Sequence, residues 1–169
     1  MGYALYAANR LDEAETQIRA AVNWIEDLRP EDLPDFYNIS VFDTPVLTYN
    51  LLKQILVAQG EVEAALKIAE RGRARAFVDL LVRRQVASGK TATPDEVIKA
   101  ARIAPDITEI RAIAREQNAT LVEYSLVPAA DFKVQGKQRR TAAELMLWVV
   151  SPTGEITFRR LNLSDPLLL

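Results

Sequence analysis

The chain contains no cysteine and no histidine among its 169 residues. Without cysteine it has no disulfide, no thiolate metal site and no thiol nucleophile. Without histidine it lacks the commonest neutral metal ligand and the commonest general base near neutral pH. A Ser-His-Asp or Cys-His set cannot be assembled from these residues. No catalytic residue, metal ligand or cofactor site is therefore assigned. An excess of one charge is also missing. Lysine and arginine number 21 against 23 acidic residues, a net charge of −2, so there is no basic field of the kind that draws nucleic acid. Apolar runs fall well short of the roughly 18 residues that signal a membrane span. Met1-Gly2-Tyr3-Ala4-Leu5 lacks the basic start and apolar core of a signal peptide. A cytoplasmic location with no membrane contact is the expectation.

What is present is ordinary globular material, 49% hydrophobic and 26% charged. The most informative stretch runs through residues 64–81. Ala65, Ile68, Ala69, Gly72, Ala76, Leu80 and Leu81 recur at three- and four-residue steps and share one helix face. Several are small, which admits a second helix at close range. Arg71, Arg73, Arg75, Arg83 and Arg84 gather towards the C-terminal half, where the helix dipole favours cations.

Residues 1–29 read as helical, with a break near Asn9 and a new start at Asp12 and Glu13. Pro30 and Pro34 mark an acidic loop, residues 29–35. Asp43-Thr44-Pro45 opens a helix over 46–59 that Gly60 ends, and a long helix follows over 61–84. A polar linker covers 88–94. Short helices open at Pro94 and Pro105. After Asn118 the period changes. Residues 120–127, 144–150 and 155–161 read as strands, the last two joined as a hairpin by Ser151-Pro152-Thr153-Gly154. Residues 129–141 form a basic loop carrying Lys133, Lys137, Arg139 and Arg140. The fold class is α+β. Helical hairpins occupy 1–86, a linker and short helix 87–104, and a small, mainly antiparallel sheet unit 105–169. Three strands leave open edges through which copies could self-associate.

The helix pairs resemble tetratricopeptide repeats, whose period is about 34 residues. Gly2, Ala14, Ile18 and Ala21 match small and large positions of a first unit, and Tyr49, Leu52, Gly60 and Ala65 those of a second. Ala14 and Ala65 stand further apart than one repeat, so a connection is lengthened. A further resemblance spans the junction. TYNLLKQILVAQGEVEAALKIAERGRARAFVDLLVRR, IAREQNATLVEYSLV and LMLWVVSPTGEITFRRLNL, in that order, are similar to the opening part of a CHAT domain, a caspase-like domain found with such repeats in bacterial proteins. The resemblance implies a relation to clan CD cysteine peptidases, whose histidine and cysteine follow later strands. Neither residue is in this chain, so it implies a fragment that stops before the catalytic half.

For the repeats, the resemblance implies a protein or peptide partner in the groove formed by the first helix of each pair. Tyr3, Tyr6, Asn50 and Gln54 map to groove-facing positions. Tyrosines and amides offer area and hydrogen bonds at low entropic cost. The plainer account is that they are simply exposed. Ser88-Gly89-Lys90-Thr91 imitates a phosphate-binding loop, but the position of its first glycine is Arg84. The arginines of the long helix read as a solvated face, with Glu70 and Arg71 suited to salt bridges between domains. Glu123 reads as facing outward or paired with an arginine of the long helix. The function expected is that of an interaction and regulatory segment of a bacterial protein combining repeats with a CHAT domain. The alternative is a stand-alone adaptor with no peptidase role.

Overall fold

A computed structural model of the chain describes residues 1–27, 43–87, 104–128 and 142–163. The acidic loop, the polar linker, the helix expected at Pro94, the basic loop and the last residues lie outside these. The chain divides into two compact units, Met1–Ile107 and Thr108–Leu169.

The first unit is helical. Helices α1 (Gly2–Ala7) and α2 (Leu11–Asp27) pack as one hairpin, and α3 (Asp43–Ala58) and α4 (Val62–Ala87) as another. α3 also packs on α2. Both hairpin turns close in the same way. Asn9 N–H reaches the Tyr6 carbonyl at 2.9 Å and Arg10 N–H the Leu5 carbonyl at 2.9 Å. Gly60 N–H reaches Val57 at 3.1 Å and Glu61 N–H reaches Leu56 at 2.8 Å. In each pair the residue that turns the chain is left-handed, Asn9 at φ 57° and Gly60 at φ 83°. This is the Schellman closure, and it consumes carbonyls that the helix end would otherwise leave unpaired. The break expected near Asn9 and the end expected at Gly60 are both explained by that backbone requirement.

The core of this unit lies between the helices. Ala14, Leu52, Ile55, Leu56, Ala65 and Leu66 are fully buried. Ala14 on α2 packs in one cluster with Leu51 and Ile55 of α3, and Tyr3, Leu5, Tyr6 and Ile18 cover it. A polar staple joins three helices. Glu26 of α2 accepts a hydrogen bond from the Tyr49 hydroxyl of α3 at 2.9 Å and pairs with Arg71 of α4. Arg71 thus has its partner inside the first unit, and Arg73 pairs with Glu70 one turn back at 2.5 Å. The interdomain role suggested for Arg71 gives way to this one.

The second unit consists of α5 (Ile107–Glu116) and a three-stranded antiparallel sheet in the order β1 (Leu121–Pro128), β2 (Ala142–Val150), β3 (Ile156–Asn162). α5 ends as the earlier helices do, with Asn118 at φ 47° and Ala119 N–H on the Ala114 carbonyl at 3.0 Å. Register decides which side of the sheet is inside. Glu123 stands opposite Trp148, and Trp148 opposite Phe158. Directly opposed residues share a face. Met146, Trp148, Val150 and Val127 are buried on that face, and the Trp148 and Phe158 rings lie 5.2 Å apart, tilted by 47°. At its end Glu144 pairs with Arg160 at 2.5 Å. The other face shows Val122 at 55%, Tyr124 at 63% and Leu126 at 53% exposure. Glu123 is therefore on the inner face and half-buried, contrary to the outward-facing one of its two expected placements. Glu123 and Ser125 share this parity of β1 while Val122, Tyr124 and Leu126 hold the other, so the pattern of β1 alone favours the opposite face. The packed tryptophan of β2 decides it.

Candidate protein-interaction site

α3 is buried around most of its circumference. Eight consecutive residues, Tyr49 to Leu56, fall in the buried class. Apolar side chains on one side meet α2 and α4. Lys53 and Gln54 lie three and four residues after Asn50, which puts both beside it on one stripe. They are 7%, 5% and 9% exposed.

The four residues expected in the groove sit on α1 and α3, the first helix of each hairpin. Tyr3 and Tyr6 are half-buried against the Ala14, Leu51 and Ile55 cluster. Asn50 and Gln54 lie one residue before Leu51 and Ile55 along α3. Asn50 and Gln54 are buried, and Tyr3 and Tyr6 are half-buried. The sequence reading passed over Lys53, although the stripe from Asn50 to Gln54 includes it. Its ammonium is pushed down to about 8, first by burial and then by the positive charge of Arg73.

This shift sets a pH dependence. The folded chain releases the Lys53 proton at about 8, whereas the unfolded chain holds it to the ordinary 10.5. Between these values the unfolded state binds more protons, so stability rises with pH. Below about 8 the buried charge costs stability in full. The Lys53→Met variant removes that cost. Its denaturant midpoint at pH 7 should exceed that of the parent chain, and the gap should close between pH 8 and 10.5. A constant gap across that window would mean that Lys53 is not desolvated.

On the other side of the helical unit, Gln59 Nε2 donates to Asp12 Oδ1 at 3.2 Å and to Glu15 Oε2 at 3.0 Å. Arg19 binds Glu15 at 2.6 Å and, with Gln59, holds its carboxyl below the usual range. Gln59 Oε1 is buried without a partner. These contacts fix α3 on α2 and are distant in role from the polar stripe. Among the described residues no group of three or more acidic side chains converges as a metal site. No helix there is long and apolar enough to cross a membrane.

Comparison with known proteins agrees with the hairpin architecture. Tetratricopeptide repeat protein 28 of Mus musculus is 32% identical over 167 residues, which is 98% of this chain and 6% of that protein. The chain is similar to a tetratricopeptide-repeat protein. The protein of the same name in Homo sapiens is 43% identical over 86 residues, 50% of this chain and 4% of that protein. The similarity supports a tetratricopeptide-type protein. The chain spans only a small part of the length of these tetratricopeptide relatives. No family model and no solved structure matches it.

Proposed function

We propose that this chain is a protein-interaction and regulatory segment in which the tetratricopeptide-type hairpins hold a peptide of a partner protein. The observation that carries the reading is the stripe of Asn50, Lys53 and Gln54 on the first helix of the second hairpin, polar and more than nine-tenths buried. A carboxamide can donate to a peptide carbonyl and accept from a peptide N–H at once. Asn50 and Gln54 would clamp the peptide backbone, and Tyr3 and Tyr6 would supply contact area beside it. Arg71, tied to Glu26, keeps the helices in register.

The second unit is, in this proposal, the first part of a CHAT domain, and α4 carries partner binding towards it. The chain itself performs no catalysis, and a parent protein with a caspase-like peptidase half would supply any activity. The cytoplasm is the setting. The bacterial origin implied by the CHAT resemblance draws nothing from the mouse and human relatives. β1 and β3 carry the sheet edges among the described residues, and self-association through one of them belongs to the same proposal.

Selection of peptides on the purified chain tests the groove. Bound peptides should lose about tenfold or more in affinity when Asn50 and Gln54 are both replaced by alanine, measured at a temperature where circular dichroism shows the variant folded. Equal binding by that variant would remove the groove from the proposal. Reading the parent frame past residue 169 tests the CHAT part. A histidine and then a cysteine, each after an apolar strand, would support it. Their absence would leave a binding scaffold.

A further inference from the structure

The second unit holds a cleft that peptide binding by the helices does not use. α5 carries Arg111 and Arg115 one turn apart, and both reach the turn between β2 and β3. Arg111 Nε donates to the Gly154 carbonyl at 3.0 Å, and Arg115 Nε to the Thr153 carbonyl at 3.2 Å. With Thr108, Thr153, Gly154 and Glu155 they line an open cleft of about 530 Å³.

The turn makes the arrangement possible. Pro152 suits the second position of a tight turn, and Gly154 N–H returns to the Ser151 carbonyl at 2.8 Å. Gly154 is left-handed at φ 84°, and a Cβ there would stand 2.6 Å from Arg115 Nη2 and 2.9 Å from its Cζ. The guanidinium lies against bare backbone. Each arginine is held at Nε, so much of the ordering cost of binding is met before a ligand arrives. A guanidinium anchored by Nε keeps its Nη donors in a planar fork. Arg115 is the exposed member of the pair, and Arg111 is half-buried. Two such groups beside the Thr108 hydroxyl form a donor-rich, positively charged concavity, and the Thr153 hydroxyl next to it is shared with Ser151 Oγ at 2.7 Å. The acid in the lining is Glu155, which is exposed.

We propose that this cleft binds a phosphate dianion, either inorganic phosphate or the phosphate of a monoester. Arg115 and Arg111 provide the charge, and Thr108 provides a hydroxyl donor. Several oxygens arranged around one centre can be shared among three donor side chains, which a planar carboxylate with two oxygens cannot do as well. Glu155 works against occupation, because it places a negative charge beside the bound anion.

The test is a titration of the full isotope-labelled chain at constant ionic strength, followed by nuclear magnetic resonance. The probes are inorganic phosphate, O-phosphoserine and acetate. Saturable shifts are expected at the Thr153 and Gly154 amides and at Arg115 Nε. Both phosphates should bind about fivefold or more tighter than acetate. Tighter binding by O-phosphoserine would identify a monoester as the ligand, and tighter binding by the inorganic ion would identify free phosphate; either supports the site. Arg115→Gln should weaken binding about tenfold. That variant also loses a bond to the turn, so Glu155→Gln is the second arm. It should strengthen binding about threefold with an unchanged thermal midpoint. Shifts that do not saturate, acetate binding as tightly as phosphate, or unchanged affinity in Glu155→Gln would each overturn the proposal.

Discussion

Trp148→Ala is expected to abolish the cooperative folding of the second unit. Trp148 is fully buried, stands between Glu123 and Phe158 in the sheet, and is the largest side chain among the described buried residues. Removing such a side chain from a core costs about 3–5 kcal/mol, through lost transfer energy and the cavity left behind. A core of this size rarely supplies more than about 3–5 kcal/mol of net stability. The loss is therefore comparable to the whole. Amide hydrogen exchange along Leu121–Pro128 and Ala142–Val150 is the measurement of choice, because it reports the ladder itself. Protection should fall to that of an open chain at both strands. Trp148→Phe should retain much of it, since the ring contact with Phe158 survives in part. Full protection in Trp148→Ala would show that the sheet does not depend on this face.

Leu52→Ala is expected to cost the helical unit about 2–5 kcal/mol. Leu52 has no exposed surface and belongs to the buried side of α3 with Ile55 and Leu56. α3 packs against both α2 and α4, so a cavity there loosens two helix contacts at once. Val46 on the same helix is about half exposed, and Val46→Ala should change stability by less than about 0.5 kcal/mol. Denaturant unfolding of the two variants gives the comparison directly. Similar midpoints for both would mean that α3 is not the centre of the unit.

Much of the secondary structure was legible because it is written in local chemistry. Gly60 ends α3, Asn118 ends α5, and Pro152 and Gly154 turn the hairpin, since each position makes a backbone demand that few residues meet. The helix expected over 46–59 is observed at Asp43–Ala58, and the one over 61–84 at Val62–Ala87. Pro45 is accepted inside the first turn of α3, where its missing N–H has no partner to lose. The strands fall within a few residues of their expected positions, and the three-stranded antiparallel order follows the hairpin expected between the last two.

The sequence by itself determined what chemistry the chain can hold. With no cysteine and no histidine, its polar groups are amides, hydroxyls, carboxylates, amines, guanidiniums and indole N–H groups. It also determined where most helices and strands begin and end. Only the tertiary structure decided which groups face inward. Glu123 joined the inner sheet face because Trp148 opposite it was packed there. Asn50, Lys53 and Gln54 became buried because α3 is enclosed on most sides. Arg71 found Glu26, and Arg111 and Arg115 found the Ser151–Glu155 turn, across long intervals of chain. Termini and turns follow from backbone conformations set within a few residues. Burial and ion pairing depend on which distant segments arrive nearby, and no local pattern specifies that.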